Sequence, residues 1–124
     1  MSTDMPLTIL GINGSLRRGS YNRMALVEAQ KLVPADAKID IYDLHEIPLF
    51  NQDQESTPPL PVADFKKRIR AADAILFATP EYNYSVPGVL KNAIDWASRP
   101  LGASAWKGKP VAIISAAHSL MGGV

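Results

Sequence analysis

An open parallel α/β sheet with helices on both faces is the fold class this sequence predicts, and two observations predict it. Four short apolar runs recur along the 124 residues, and the segments between them carry apolar residues at helical spacing. Runs one, three and four are nearly continuous in apolar residues, as parallel strands are when helices cover both their faces.

The first run is Leu7-Thr8-Ile9-Leu10-Gly11-Ile12. After a loop, Ala25, Leu26, Ala29 and Val33 share one helical face, with Asn22 expected as the cap. The second run, Ile39-Asp40-Ile41-Tyr42-Asp43-Leu44, alternates apolar residues with Asp, as an edge strand does. Glu46 to Pro61 is polar and holds Pro48, Pro58, Pro59 and Pro61, which predicts a long surface loop. Val62, Phe65, Ile69 and Ala72 then line a second helix ahead of the third run, Ala74-Ile75-Leu76-Phe77-Ala78-Thr79. Pro87 is expected in the first turn of a third helix, where its missing N–H costs nothing, and Leu90, Ala93, Ile94 and Ala97 form that helix's inner face. Val111-Ala112-Ile113-Ile114-Ser115 is the fourth run, and its unbroken apolar character reads as a strand buried on both faces. In such sheets ligands bind outside the carboxyl ends of the strands, so the loops that follow them hold the information about function.

Composition narrows the classes. The length fits one domain, and 13 basic against 12 acidic side chains leave a net charge of +1. That balance excludes a broad nucleic-acid surface. No run approaches the roughly 18 apolar residues of a membrane helix. Met1 to Pro6 shows no basic-then-apolar leader, so the cytoplasm is the expected compartment. With no cysteine, disulfides, thiolate zinc sites and cysteine nucleophiles are excluded. Two histidines, His45 and His118, are too few for a histidine-rich metal site.

The loop after the first strand reads Asn13-Gly14-Ser15-Leu16-Arg17-Arg18-Gly19-Ser20-Tyr21-Asn22. It joins a buried strand to a helix N-terminus, where backbone N–H groups and the helix dipole favour an anion. Gly14 and Gly19 allow close approach, Ser15, Ser20 and Asn22 add neutral donors, and Arg17 adds a fork suited to phosphate. It is neither familiar nucleotide loop. Gly14 and Gly19 have the ATP-loop spacing, but Ser20-Tyr21 stands where Lys and a hydroxyl residue belong, and glycines 11, 14 and 19 miss the dinucleotide fingerprint. Arg18 is expected to be a solvated charge. Asp43, where a ribose-binding acid would sit, is expected to be an ordinary polar strand end.

The loop after the third strand, Thr79-Pro80-Glu81-Tyr82-Asn83-Tyr84-Ser85-Val86-Pro87-Gly88, is short, aromatic and bracketed by prolines. Two tyrosines and backbone polar groups in a rigid turn suit a flat heteroaromatic ring.

These two loops resemble the motifs of the NADPH-dependent FMN reductases, a flavodoxin-like family that includes quinone, azo-dye and chromate reductases. The first loop matches Gly-Ser-x-Arg-x-x-Ser-x-Asn. Pro80-Glu81-Tyr82-Asn83, Ser85, Pro87, Leu90-Lys91-Asn92 and Ile94-Asp95-Trp96 match the second motif. The resemblance implies FMN as cofactor, NADPH or NADH as donor and a small quinone-like molecule as acceptor. It places Ser15, Arg17, Ser20, Tyr21 and Asn22 at the phosphate. Pro80, Glu81, Tyr82, Asn83 and Tyr84 would lie beside the ribityl chain and ring, and Ser115 would approach the flavin. No protein acid or base is implied, because the flavin is the redox centre.

The chain departs from the family in two places. Ala117, His118 and Ser119 stand within what is usually a glycine-rich turn, and His118 is expected to face solvent. Family members also continue beyond Val124 with a helix, a fifth strand and a final helix. The expectation is therefore a single flavodoxin-like domain over 1–124, incomplete at its C-terminus, with four strands in the order 2-1-3-4 and the fourth at a bare edge. A second copy of the chain would cover that edge, making a homo-oligomer (dimer or tetramer). A flavodoxin-type electron carrier and a truncated chain with impaired activity stay open as alternatives. Carriers tend to be acidic, which a charge of +1 does not match.

Overall fold

The computed structural model describes residues 5–123. Its elements are β1 (Leu7–Asn13), α1 (Tyr21–Leu32), β2 (Ala37–Asp43), α2 (Leu60–Ala71), β3 (Ala74–Ala78), α3 (Gly88–Ala97) and β4 (Val111–Ile114). The four strands form one parallel sheet in the order β2-β1-β3-β4, as expected. Among the described residues, no helix is long and apolar enough to cross a membrane.

Alternation along β1 sets the layers. Leu10 and Ile12 point to one face and join Phe65 and Ile69 of α2 and Leu90, Ala93 and Ala97 of α3 in the core. Gly11 points to the other face. A Cβ there would stand 3.0 Å from Ile39 Cγ2 and 3.1 Å from Leu26 Cδ2, so the glycine lets α1 settle close to the sheet. The face predicted for α2 is buried throughout: Val62, Phe65, Ile69 and Ala72. On α1 only Leu26 of the predicted face is fully buried, while Ala25, Ala29 and Val33 are half-buried. Pro87 stands at the N-cap of α3, one residue ahead of the first turn predicted for it.

The segment expected as a surface loop, 46–61, is strapped onto α3. Pro48 O accepts from Trp96 Nε1 at 2.7 Å and Asn92 Nδ2 at 2.8 Å, and Phe50 N donates to Asn92 Oδ1 at 2.7 Å. The Phe50 and Trp96 rings meet edge to face, with centroids 4.9 Å apart. The segment also holds a 3-10 turn over Gln52–Gln54, and its last two residues already belong to α2.

β4 corrects the burial its composition suggests. It pairs only with β3, and Val111 and Ile113 remain 51% and 68% exposed. Apolar continuity describes a strand covered on both faces, and among the described residues nothing packs outside this one.

Candidate functional site

The loops after β1, β3 and β4 meet at the carboxyl edge of the sheet, and buried polar groups shape them. Asn13, the last residue of β1, is buried. Its Oδ1 accepts from Ser15 N at 3.1 Å and its Nδ2 donates to Asp43 Oδ1 at 3.0 Å. This Asx turn starts the loop. Gly14 N donates to Ala78 O at 2.8 Å. A Cβ on Gly14 would meet Thr79 Oγ1 at 2.9 Å and Thr79 Cβ at 3.0 Å, so only glycine lets the first and third loops run side by side. Ser15 Oγ then accepts from Arg17 N at 3.2 Å.

Ser20, not Asn22, caps α1: its Oγ accepts from Arg23 N at 3.1 Å. Both residues favour caps, and the one that meets the first helical turn takes the role. Asn22 is buried and spans to the loop after β4. Its Oδ1 accepts from Ala116 N at 2.9 Å and its Nδ2 donates to Ala116 O at 3.2 Å. The backbone N–H groups of Tyr21 and Asn22, first in the helix, have no acceptor among the described residues. The Arg17 guanidinium lies 5.2 Å from the Tyr21 ring centroid and joins none of the ion pairs among the described residues.

After β3 the chain makes a two-residue turn. Tyr82 N and Ser85 N each donate to the other's carbonyl oxygen at 3.0 Å. Asn83 and Tyr84 have φ of 53° and 61°, the pair of positive values that a type I′ turn requires. Asn tolerates that region, whereas a tyrosine held there costs about 1–2 kcal/mol. The turn leaves Tyr82 52% and Tyr84 87% exposed.

The loop after β4 brings His118 back to α1. His118 Nε2 lies 2.8 Å from Tyr21 Oη, and the rings meet edge to face at 4.7 Å. The histidine is exposed, as expected, but it is bonded across the site rather than simply solvated.

Two clefts result. One of about 260 Å³ is lined by Ser15, Arg17, Ser20, Tyr21, Asn22, Pro80, Glu81 and Tyr82, and closed by Ala116, Ala117 and His118. The other, about 380 Å³, is lined by Thr79, Pro80, Glu81, Tyr84, Ser85, Val86, Ile113, Ser115 and Gly123. Pro80 and Glu81 form the wall between them. Of the residues assigned to the cofactor from sequence, only Asn83 lines neither; it sits at the tip of the turn. Arg18 lies in a groove on the outer side of α1 with Arg23 and Met24. Asp43 is occupied by Asn13 and by Arg23 Nε at 3.3 Å, as a structural strand end.

Sequence reasoning passed over Asn13, Thr79 and Ala116. An Asn between an apolar strand and Gly-Ser is a legible Asx-turn signal, while the other two are recognisable only from the contacts they make. The groups with shifted ionisation lie outside both clefts. Burial, reinforced by Asp64, holds the Tyr42 phenol above its ordinary value, and burial beside Arg70 holds Lys66 below its own.

The fold is that of a flavodoxin-like α/β protein, with a serine- and arginine-bearing loop at the head of its first helix. Residues 7–124 match the family model described as NADPH-dependent FMN reductase, and the chain belongs to that family. It is 55% identical over 124 residues to an NAD(P)H-dependent FMN reductase of Pseudomonas aeruginosa, covering 98% of this chain and 65% of that protein. It is 48% identical over 118 residues to a 2-hydroxy-1,4-benzoquinone reductase of a Burkholderia species, covering 95% of this chain and 64% of that one. Among solved structures, FerB of Paracoccus denitrificans, a flavoenzyme NAD(P)H:(acceptor) oxidoreductase, superposes with a TM-score of 0.86 at 40% identity. The overlap covers 92% of this chain and 63% of FerB. The chain thus spans somewhat less than two thirds of the length of these relatives.

Proposed function

We propose that the protein binds FMN in these clefts and passes reducing equivalents from NADPH or NADH to a small quinone-like acceptor. The observation that carries the proposal is the first cleft. Ser15, Arg17, Ser20, Tyr21 and Asn22 all line this volume of about 260 Å³, and the backbone N–H groups of Tyr21 and Asn22 have no acceptor among the described residues. Those donors fit a phosphate monoester, and Gly14 keeps the loop close enough to the third strand for one ligand to touch both loops. The neighbouring cleft, beyond Pro80 and Glu81, has the aromatic and backbone groups that suit a flat ring.

When bound, FMN supplies the hydride and electron chemistry that side chains lack. This chain's residues hold and orient it. Ser15, Arg17, Ser20 and the amides of Tyr21 and Asn22 would take the phosphate, and Asn22's side chain would act through Ala116 by fixing the loop after β4. Pro80 to Tyr84 and Ser115 would border the ribityl chain and ring. The names of the relatives support a nicotinamide donor and a quinone acceptor. We place the protein in the cytoplasm and propose that a second copy covers the exposed β4 edge.

The test is to load the protein with FMN, remove free flavin by gel filtration, and follow NADPH oxidation with and without a quinone. Retained visible flavin absorption and quinone-accelerated oxidation are expected. Retained flavin without NADPH oxidation would indicate an electron carrier, and loss of all flavin on the column would contradict the proposal.

A further inference from the structure

We infer that Tyr21 and His118 form a latch that closes the phosphate end of the cleft and slows the release of FMN. The inference rests on the FMN proposal above and assigns a role to His118, in the loop after β4. The two side chains come from elements 97 residues apart, and both line the same cleft. Tyr21 Oη and His118 Nε2 are 2.8 Å apart, with the rings edge to face at 4.7 Å. The Tyr21 ring also carries the Arg17 guanidinium, 5.2 Å from its centroid. Tyr21 thus links Arg17 to His118, and all three line the cleft.

The loop holding His118 already has a firm anchor. Asn22 makes two hydrogen bonds to Ala116 from a part-buried position. The Tyr21–His118 contact is a second, exposed tie between the same two elements. What it adds is closure. A ligand whose charged end sits among Ser15, Arg17 and Ser20 leaves past Tyr21 and His118 only when this contact breaks. A contact that bars the way out also bars the way in, so its loss should speed both steps, and release is the one measured directly as the dissociation rate. One net hydrogen bond corresponds to about fivefold in that rate.

The experiment measures FMN release from the loaded protein by recovery of flavin fluorescence after dilution into excess competitor. Tyr21→Phe keeps the ring and removes the hydroxyl; His118→Ala removes the partner. Each single variant should release FMN about fivefold faster, and the double variant no faster than either. Riboflavin, which has no phosphate to enclose, should leave all four proteins at rates within about twofold. FMN release at the wild-type rate from both single variants, or additive acceleration in the double, would overturn the latch. Equal acceleration for riboflavin would also overturn it, by showing a general loosening of the loops. If the wild-type protein retains no FMN, the parent proposal fails and the latch with it. If wild-type FMN binding is intact and only the variant effects are missing, the latch fails alone.

Discussion

The two edges of the sheet end in opposite ways. At β2 the outer strand carries Lys38 and Asp40, paired at 3.8 Å, and closes on Asp43, which Asn13 and Arg23 hold. Its Tyr42 rests against Phe65, with centroids 4.9 Å apart, and under Arg68. At β4 the outer strand is Val-Ala-Ile-Ile, with no charge in it and its first three residues exposed. Charge on an edge strand blocks pairing with another sheet, and apolar continuity invites it. The contrast teaches that β2 has the sequence of a finished edge, and β4 that of a strand meant to be covered.

The largest effect expected lies away from both edges, where the strap is fastened. Trp96 is fully buried and holds Pro48 and Phe50, so Trp96→Ala should lower the unfolding free energy by about 3–5 kcal/mol in denaturant titrations. Next comes Ile113→Lys, which gives β4 the kind of charge β2 already has. If a second copy covers this edge as proposed, the variant should sediment as a monomer where the wild-type protein does not, while its dilute-solution stability moves by less than about 0.5 kcal/mol. A wild-type protein that is monomeric at all concentrations would contradict a second copy at this edge. Tyr84→Gly removes a bulky residue from a φ of 61° and should raise the unfolding free energy by about 1 kcal/mol. Unchanged stability would mean the turn relaxes in solution. The smallest effect is expected for Lys38→Ala at the finished edge, where losing an exposed ion pair should cost less than about 0.5 kcal/mol.

The strands were legible because apolar runs at β1 and β3 report burial on two faces directly. The order 2-1-3-4 came from the resemblance to a flavodoxin-like family, and the alternation of β2 agreed with its place at an edge. The loops after β1 and β3 were legible as sites because their glycines, hydroxyls and tyrosines break the apolar pattern where strands end. What stayed hidden depends on contacts distant in sequence. The 46–61 strap needs Asn92 and Trp96, and nothing local in its prolines points to α3. Asn22 looked like a cap because it is a good one. Its partner, Ala116, is 94 residues away, and Ser20 was as well suited to the role. The turn at Asn83-Tyr84 is of a type that favours glycine second, so Tyr84 disguised it.

The central claim is that the loop at the head of α1 binds a phosphate, and Arg17→Ala tests it most directly. Arg17 lines the cleft and joins no ion pair among the described residues, so its loss should act on the ligand more than on the fold. Dissociation constants for FMN and riboflavin would be measured by flavin fluorescence in wild-type and variant protein. FMN should bind about ten- to a hundredfold more weakly to the variant, the loss of one charge-assisted hydrogen bond, while riboflavin changes by less than about threefold. Equal losses for the two ligands, or no loss for FMN, would contradict the account.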